Sequence, residues 1–245
     1  MINKIRKQLF SNQDNKYLSF SSSLTKDKNQ NRFIGVRSPI LKSIIKELKD
    51  SNNSLIYLDS VISFINDNNF LYTEEIQIFG ALVGIIKVPN EIRKKYLQYY
   101  LNLINSWENV DVVIPFHNFY IKEDAYFFPF LISLAKSNKE FVLRYMVLIM
   151  MRYYLKNKNH YLECKDILLA KYPDYYYLDM AIAWYIATYA AYDFNDAVNS
   201  FILNPKLKKW IFNKSISKCM DSYRINKEQK AQLKEIKQYK STASE

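Results

Sequence analysis

The stretch Ser38-Pro39-Ile40-Leu41-Lys42-Ser43-Ile44-Ile45-Lys46-Glu47-Leu48 decides how the rest of the chain is read. Serine followed by proline is a helix start. The hydroxyl can cap a free backbone N–H, and proline suits the first helical position, where its missing N–H is not needed. Ile40, Leu41, Ile44, Ile45 and Leu48 then recur at the three- and four-residue spacing of one apolar helix face. The same period predicts helices over 55–66, 73–88, 91–106, 107–120, 125–137 and 140–156. It continues over 161–171, 175–192, 195–203, 206–218 and 227–239. Short connections carrying Asn, Asp, Pro or Lys make such helices antiparallel neighbours. A helix-pair rhythm of roughly 35–45 residues, without exact repeats, is that of a degenerate solenoid. The expected fold is therefore all-α: a curved α-solenoid of HEAT-like antiparallel helix pairs, forming one domain over 1–240. Its concave side would suit an extended ligand, either DNA or a protein. The polar segment 25–32 reads as a loop and 241–245 as a disordered tail.

Composition agrees with helices. Only 3 Gly and 6 Pro occur among 245 residues, too few for the turns of a sheet protein. With 49% hydrophobic and 24% charged residues, the chain can bury a core without disulfides or metal. The formal net charge of +11 favours a polyanionic partner. A genome that enriches Asn, Lys, Ile and Tyr together would give the same charge, so charge alone leaves that partner open. Cys164 and Cys219 are the only cysteines, which argues against a disulfide scaffold and a thiolate zinc site. Residues 1–10 carry lysines and no apolar core, unlike a signal peptide. Apolar runs are broken by charge well short of the ~18 residues a membrane span needs. A cytoplasmic monomer with no membrane association is expected.

The chemistry-bearing candidates are few. His117 and His160 have no carboxylate or histidine at ligand spacing, so neither a metal site nor a triad is indicated. Ser106-Trp107-Glu108-Asn109-Val110-Asp111-Val112-Val113-Ile114-Pro115 is the informative segment. Trp107 and Asp111 are four apart and share a helix face. A carboxylate among valines needs a reason. It either pairs with an arginine or caps a helix, or it serves a site. Trp184, among alanines and isoleucines, is either core or site. Arg144 stands in an apolar stretch and either pairs with Asp111 or reaches a phosphate.

These segments together resemble the AlkD-like DNA alkylation repair family. Gly35-Val36-Arg37-Ser38-Pro39 is similar to the Gly-[Val/Ile]-x-[Ser/Thr]-Pro box that opens a helix in that family. Trp107 and Asp111, with Pro115 downstream, resemble its Trp-x-x-x-Asp active-site segment. The helix over 141–154 resembles the one carrying a DNA-facing arginine, here Arg144. Ala181-Ile182-Ala183-Trp184 is similar to the Ala-Ile-x-Trp helix that supplies a second site tryptophan. The stretch 213–226 resembles the family's C-terminal helix, and the likeness spans about 16–237.

The resemblance implies a glycosylase that binds double-stranded DNA and releases positively charged N3- or N7-alkylated purines, with no metal or organic cofactor. It implies catalytic roles for Asp111, Trp107 and Trp184, and DNA binding by Arg144. Arg37 and Lys42 are further candidate DNA contacts on charge. These groups are expected to converge on the concave side. Tyr17, Phe20 and Phe33 compete for the role of an aromatic near the lesion. Leu143-Arg144 replaces a frequent Arg-Arg, and Tyr185-Ile186-Ala187-Thr188 stands where relatives often show Arg-Glu. A catalytically silent protein binding damaged or branched DNA, or a protein-binding solenoid, are the competing readings.

Overall fold

A computed structural model describes residues 1–24 and 32–242. Fifteen α-helices and no strand occur among them. The first eight are α1 (Ile2–Phe10), α2 (Asn15–Ser23), α3 (Ser38–Asp50), α4 (Ser54–Asn66), α5 (Thr73–Ile85), α6 (Asn90–Leu103), α7 (Trp107–Asp111) and α8 (Phe119–Lys122). The rest are α9 (Asp124–Ser133), α10 (Glu140–Ile149), α11 (Tyr161–Leu168), α12 (Tyr176–Ala190), α13 (Phe194–Ala197), α14 (Lys209–Asp221) and α15 (Lys227–Thr242). The all-α class expected from the sequence is what the chain forms. The chain divides into two compact units, Met1–Phe128 and a second that begins at Pro129, inside α9.

The first unit is organised around α5. Every residue from Thr73 to Gly84 is buried, because the helix is apolar on nearly all sides and α3, α4, α6 and α7 all pack on it. Gly80 and Gly84, one turn apart, permit this crowding. A Cβ on Gly80 would lie 2.4 Å from the Tyr100 ring, and one on Gly84 would lie 2.3 Å from the Phe116 carbonyl oxygen. Through that close approach His117 reaches the Gly80 carbonyl at 2.8 Å. The carbonyl only accepts, so His117 Nε2 carries the proton. Burial lowers the His117 pKa to about 4, and the ring is neutral.

The second unit is built on α12, which packs against α10, α13 and α14 and buries Leu178, Ala181, Ile182, Tyr185 and Ile186. At its far end the Asp196 carboxylate accepts hydrogen bonds from the hydroxyls of Tyr161, Tyr189 and Ser200. These link α11, α12 and α13.

Several boundaries differ from the sequence expectation, each for a local reason. Ser38 is the first helical residue rather than the cap. Arg37 occupies the cap position with extended backbone, and no side chain caps the helix. The predicted helix 107–120 breaks into α7, a 3-10 turn at Ile114–Phe116, and α8. Pro115 lacks an N–H and disfavours helical backbone at the residue before it. The predicted helices 140–156 and 195–203 end in wide π-type turns at Met150–Tyr154 and Val198–Ile202. No helix is expected before Ser38, yet α1 buries Ile2, Ile5 and Leu9 at helical spacing. Of the predicted loop 25–32, residues 25–31 lie outside the described residues. So do 243–245 of the predicted tail, whose first two residues continue α15.

Candidate nucleic-acid interface

The turn that carries Trp107 and Asp111 is short, and its position comes from polar anchors rather than from its own helix. Ser106 caps it by accepting from Asn109 N. The Asn109 amide donates to the Thr73 carbonyl at 3.2 Å, which ties the turn to the start of α5. Gln77 on α5 donates to the Glu108 carbonyl at 3.1 Å. The Tyr100 hydroxyl on α6 donates to the Asn109 carbonyl at 2.6 Å. Burial, then the charge of Asp111, pushes the Tyr100 pKa well above its usual value, so this donor stays protonated. Glu108, Asn109 and Val110 point inward, while Trp107 and Asp111 are half-buried. Asp111 is therefore not sunk among the valines that flank it. The apolar neighbours Val110 and Val113 take the core positions, and the carboxylate stays at the boundary with solvent.

Beside this turn lies a cavity of about 210 Å³. Tyr17, Phe20 and Phe33 all line it together with Trp107, so the first unit gathers every aromatic that competed for a place near the lesion. The carboxylates of Glu74 and Glu108 and the amide of Gln77 line it as well. The Trp107 indole N–H is buried without a hydrogen-bond partner among the described residues. Such a donor is costly to leave unsatisfied.

The rim of the cavity explains the Gly-Val-Arg-Ser-Pro box. Glu74 accepts from three consecutive backbone N–H groups: Ile34 at 3.0 Å, Gly35 at 2.7 Å and Val36 at 3.1 Å. Gly35 has φ +92°, and a Cβ there would lie 2.7 Å from Leu18 Cβ, so both backbone and space require glycine. Arg37 then leaves the core and pairs with Asp14 at 2.7 Å, its side chain 55% exposed. Lys42 is exposed on α3.

In the second unit, Trp184 stands out from α12 with 41% of its surface exposed. The residues that follow it, Tyr185, Ile186 and Ala187, are buried. No cation can project there from the next turn of that helix. The cation against the indole comes instead from α14, where Lys218 Nζ lies 6.0 Å from the Trp184 ring centroid. Arg144 on α10 is only 4% exposed and donates to the Tyr177 carbonyl at 2.9 Å. Trp184 is thus a surface residue, not core, and Arg144 is anchored to α12 rather than free to swing.

A family model described as DNA alkylation repair enzyme matches residues 5–220, from α1 to the end of α14. The chain belongs to the AlkD-like DNA alkylation repair family. No curated protein and no solved structure matches it. Membership assigns this alkylation repair protein a role in DNA repair, in keeping with its +11 charge. No described helix is long and apolar enough to cross a membrane, and no described group of three or more His, Cys, Asp or Glu residues could hold a metal ion. Sequence reasoning missed Glu74, Glu108 and Lys218. The run Thr73-Glu74-Glu75-Ile76 entering an apolar helix was the available signal for Glu74, since a carboxylate opening a buried helix must satisfy something nearby. Nothing in the local sequence of α14 marks Lys218 as facing Trp184.

Proposed function

We propose that the protein is a DNA glycosylase that binds duplex DNA and releases positively charged N3- or N7-alkylated purines. The observation that carries this reading is the anchored turn of the first unit, which presents Asp111 and Trp107 at the boundary with solvent while their neighbours are fixed by four polar contacts. A purine alkylated at N3 or N7 is already cationic and departs neutral, so no general acid is required. As the glycosidic bond lengthens, positive charge develops on the deoxyribose. A carboxylate held still beside that sugar stabilises the charge more in the transition state than in the ground state. Asp111 takes this role and orients the attacking water. Trp107 supplies an aromatic wall whose face favours cationic character. Trp184 lies against the backbone of the same duplex, and Arg144, Arg37 and Lys42 answer its phosphates.

The test is release of 7-methylguanine and 3-methyladenine from methylated duplex DNA by the purified protein. Release of both above the spontaneous rate supports the reading. Tight, salt-sensitive duplex binding without release would favour a silent DNA-binding protein. The inward anchoring of Arg144 and the apolar turn after Trp184 are the features that favour that second reading.

A further inference from the structure

We infer that Lys218 and Lys214 on α14 form, with Arg144 and the face of Trp184, a second-unit binding site for a backbone phosphodiester. This rests on the DNA-binding part of the proposed function and not on glycosylase activity.

The argument starts from position. Lys214 and Lys218 are one helical turn apart on α14 and share a face. That helix packs along α12, and Lys218 Nζ comes to 6.0 Å from the Trp184 centroid. Both lysines are half-buried rather than extended into water. Arg144 enters from α10 on the other flank of α12 and is fixed by its bond to the Tyr177 carbonyl. Three cations from two helices are therefore gathered around one exposed indole on a third.

Gathering them is unfavourable for the protein alone. Burial lowers the Lys218 pKa, and the charges of Lys214 and Arg144 lower it further, while only Asp221 opposes them. Like charges held together at a partly dry surface repel, unless an anion sits among them. Such an arrangement serves binding at the expense of stability, as functional sites commonly do. A phosphodiester fits chemically: it is an anion flanked by apolar sugar, which an exposed indole can cover. Phosphate contacts of this kind position a duplex without reading its sequence.

The experiment is a titration of a fluorescein-labelled, unmodified DNA duplex into the full chain across a salt series, for the unmodified protein, Lys218→Met and Lys218→Arg. Lys218→Met is expected to weaken binding several-fold at low salt. It should also reduce the slope of log Kd against log salt by about 1, as loss of one phosphate contact requires. Lys218→Arg should keep both, because the charge remains. The melting temperature of Lys218→Met should equal or exceed that of the unmodified protein, since a repelled cation is replaced by an apolar side chain of similar length. A purely structural lysine would instead lose stability on that change and leave the salt slope intact. An unchanged slope and affinity in Lys218→Met, with duplex binding by the unmodified protein, overturns the phosphate site and leaves the DNA-binding reading standing. No duplex binding by the unmodified protein at low salt overturns both.

Discussion

Two tryptophans sit in opposite electrostatic surroundings. Trp107 in the first unit lines a cavity with Glu74 and Glu108 and shares its helical turn with Asp111. Trp184 in the second unit is exposed and has Lys218 against its ring. The same side chain is set among carboxylates in one unit and near cations in the other. A phosphate is repelled by the first setting and attracted by the second, whereas a developing sugar cation has the reverse preference. The comparison suggests a division of labour: the first unit stabilises charge during reaction, and the second holds the DNA.

The largest expected effect breaks the first setting alone. Glu74→Ala leaves three buried backbone N–H groups without an acceptor, at about 1–3 kcal/mol for each that stays unsatisfied. The first unit should lose several kcal/mol, and the Trp107 cavity its rim. Hydrogen exchange resolved by segment would show faster exchange in α3 and α5 and little change in α12. Equal loosening of α12 would mean the two settings are not separable.

A second effect, about 3 kcal/mol in total, uses pH. The unfolded chain takes up a proton on His117 near pH 6.5, but the buried ring refuses it until about pH 4. Stability of the first unit is therefore intact above pH 6.5 and falls as pH drops from there toward 4. His117→Gln keeps a donor for the Gly80 carbonyl and should flatten that slope in melting temperature. A slope unchanged by the substitution would contradict a neutral His117.

The smallest effect belongs to the second unit. Burial alone would raise the Asp196 pKa, but hydrogen bonds from Tyr161, Tyr189 and Ser200 outweigh it and leave the pKa below the usual carboxylate value. Its contribution is present above the unfolded pKa, near 4, and is lost as pH falls through the lower folded value. Asp196→Asn should cost about 1–2 kcal/mol and remove part of the acid sensitivity below pH 4. DNA affinity should stay within twofold. A larger loss of affinity would tie the Asp196 cluster to the DNA-holding surface.

Much of this arrangement was legible in the sequence. Helical period and scarce glycine indicate the all-α class, and the spacing of Trp107 and Asp111 places them on one turn, where the structure has them. Burial was less legible. The valines around Asp111 suggest a sunken carboxylate, but the chain breaks at Pro115, so α7 is one turn long and Asp111 stays at its edge. Long-range pairings were not legible at all. That Glu74 holds the Gly35 turn depends on residues nearly 40 positions apart, and that Lys218 meets Trp184 depends on how α12 and α14 pack. Periodicity names the face of a helix but not the neighbour it meets.

The most direct test of the division of labour is a single variant measured three ways: Asp111→Asn, for base release, duplex affinity and melting temperature. The account predicts that release of 7-methylguanine falls by about 10²-fold or more, the scale of losing a preorganised transition-state charge. It predicts that duplex affinity is unchanged or slightly improved, because a negative charge is removed near phosphates, and that melting temperature shifts little for a half-exposed side chain. Unchanged release with a large drop in melting temperature would contradict it and make Asp111 a structural residue.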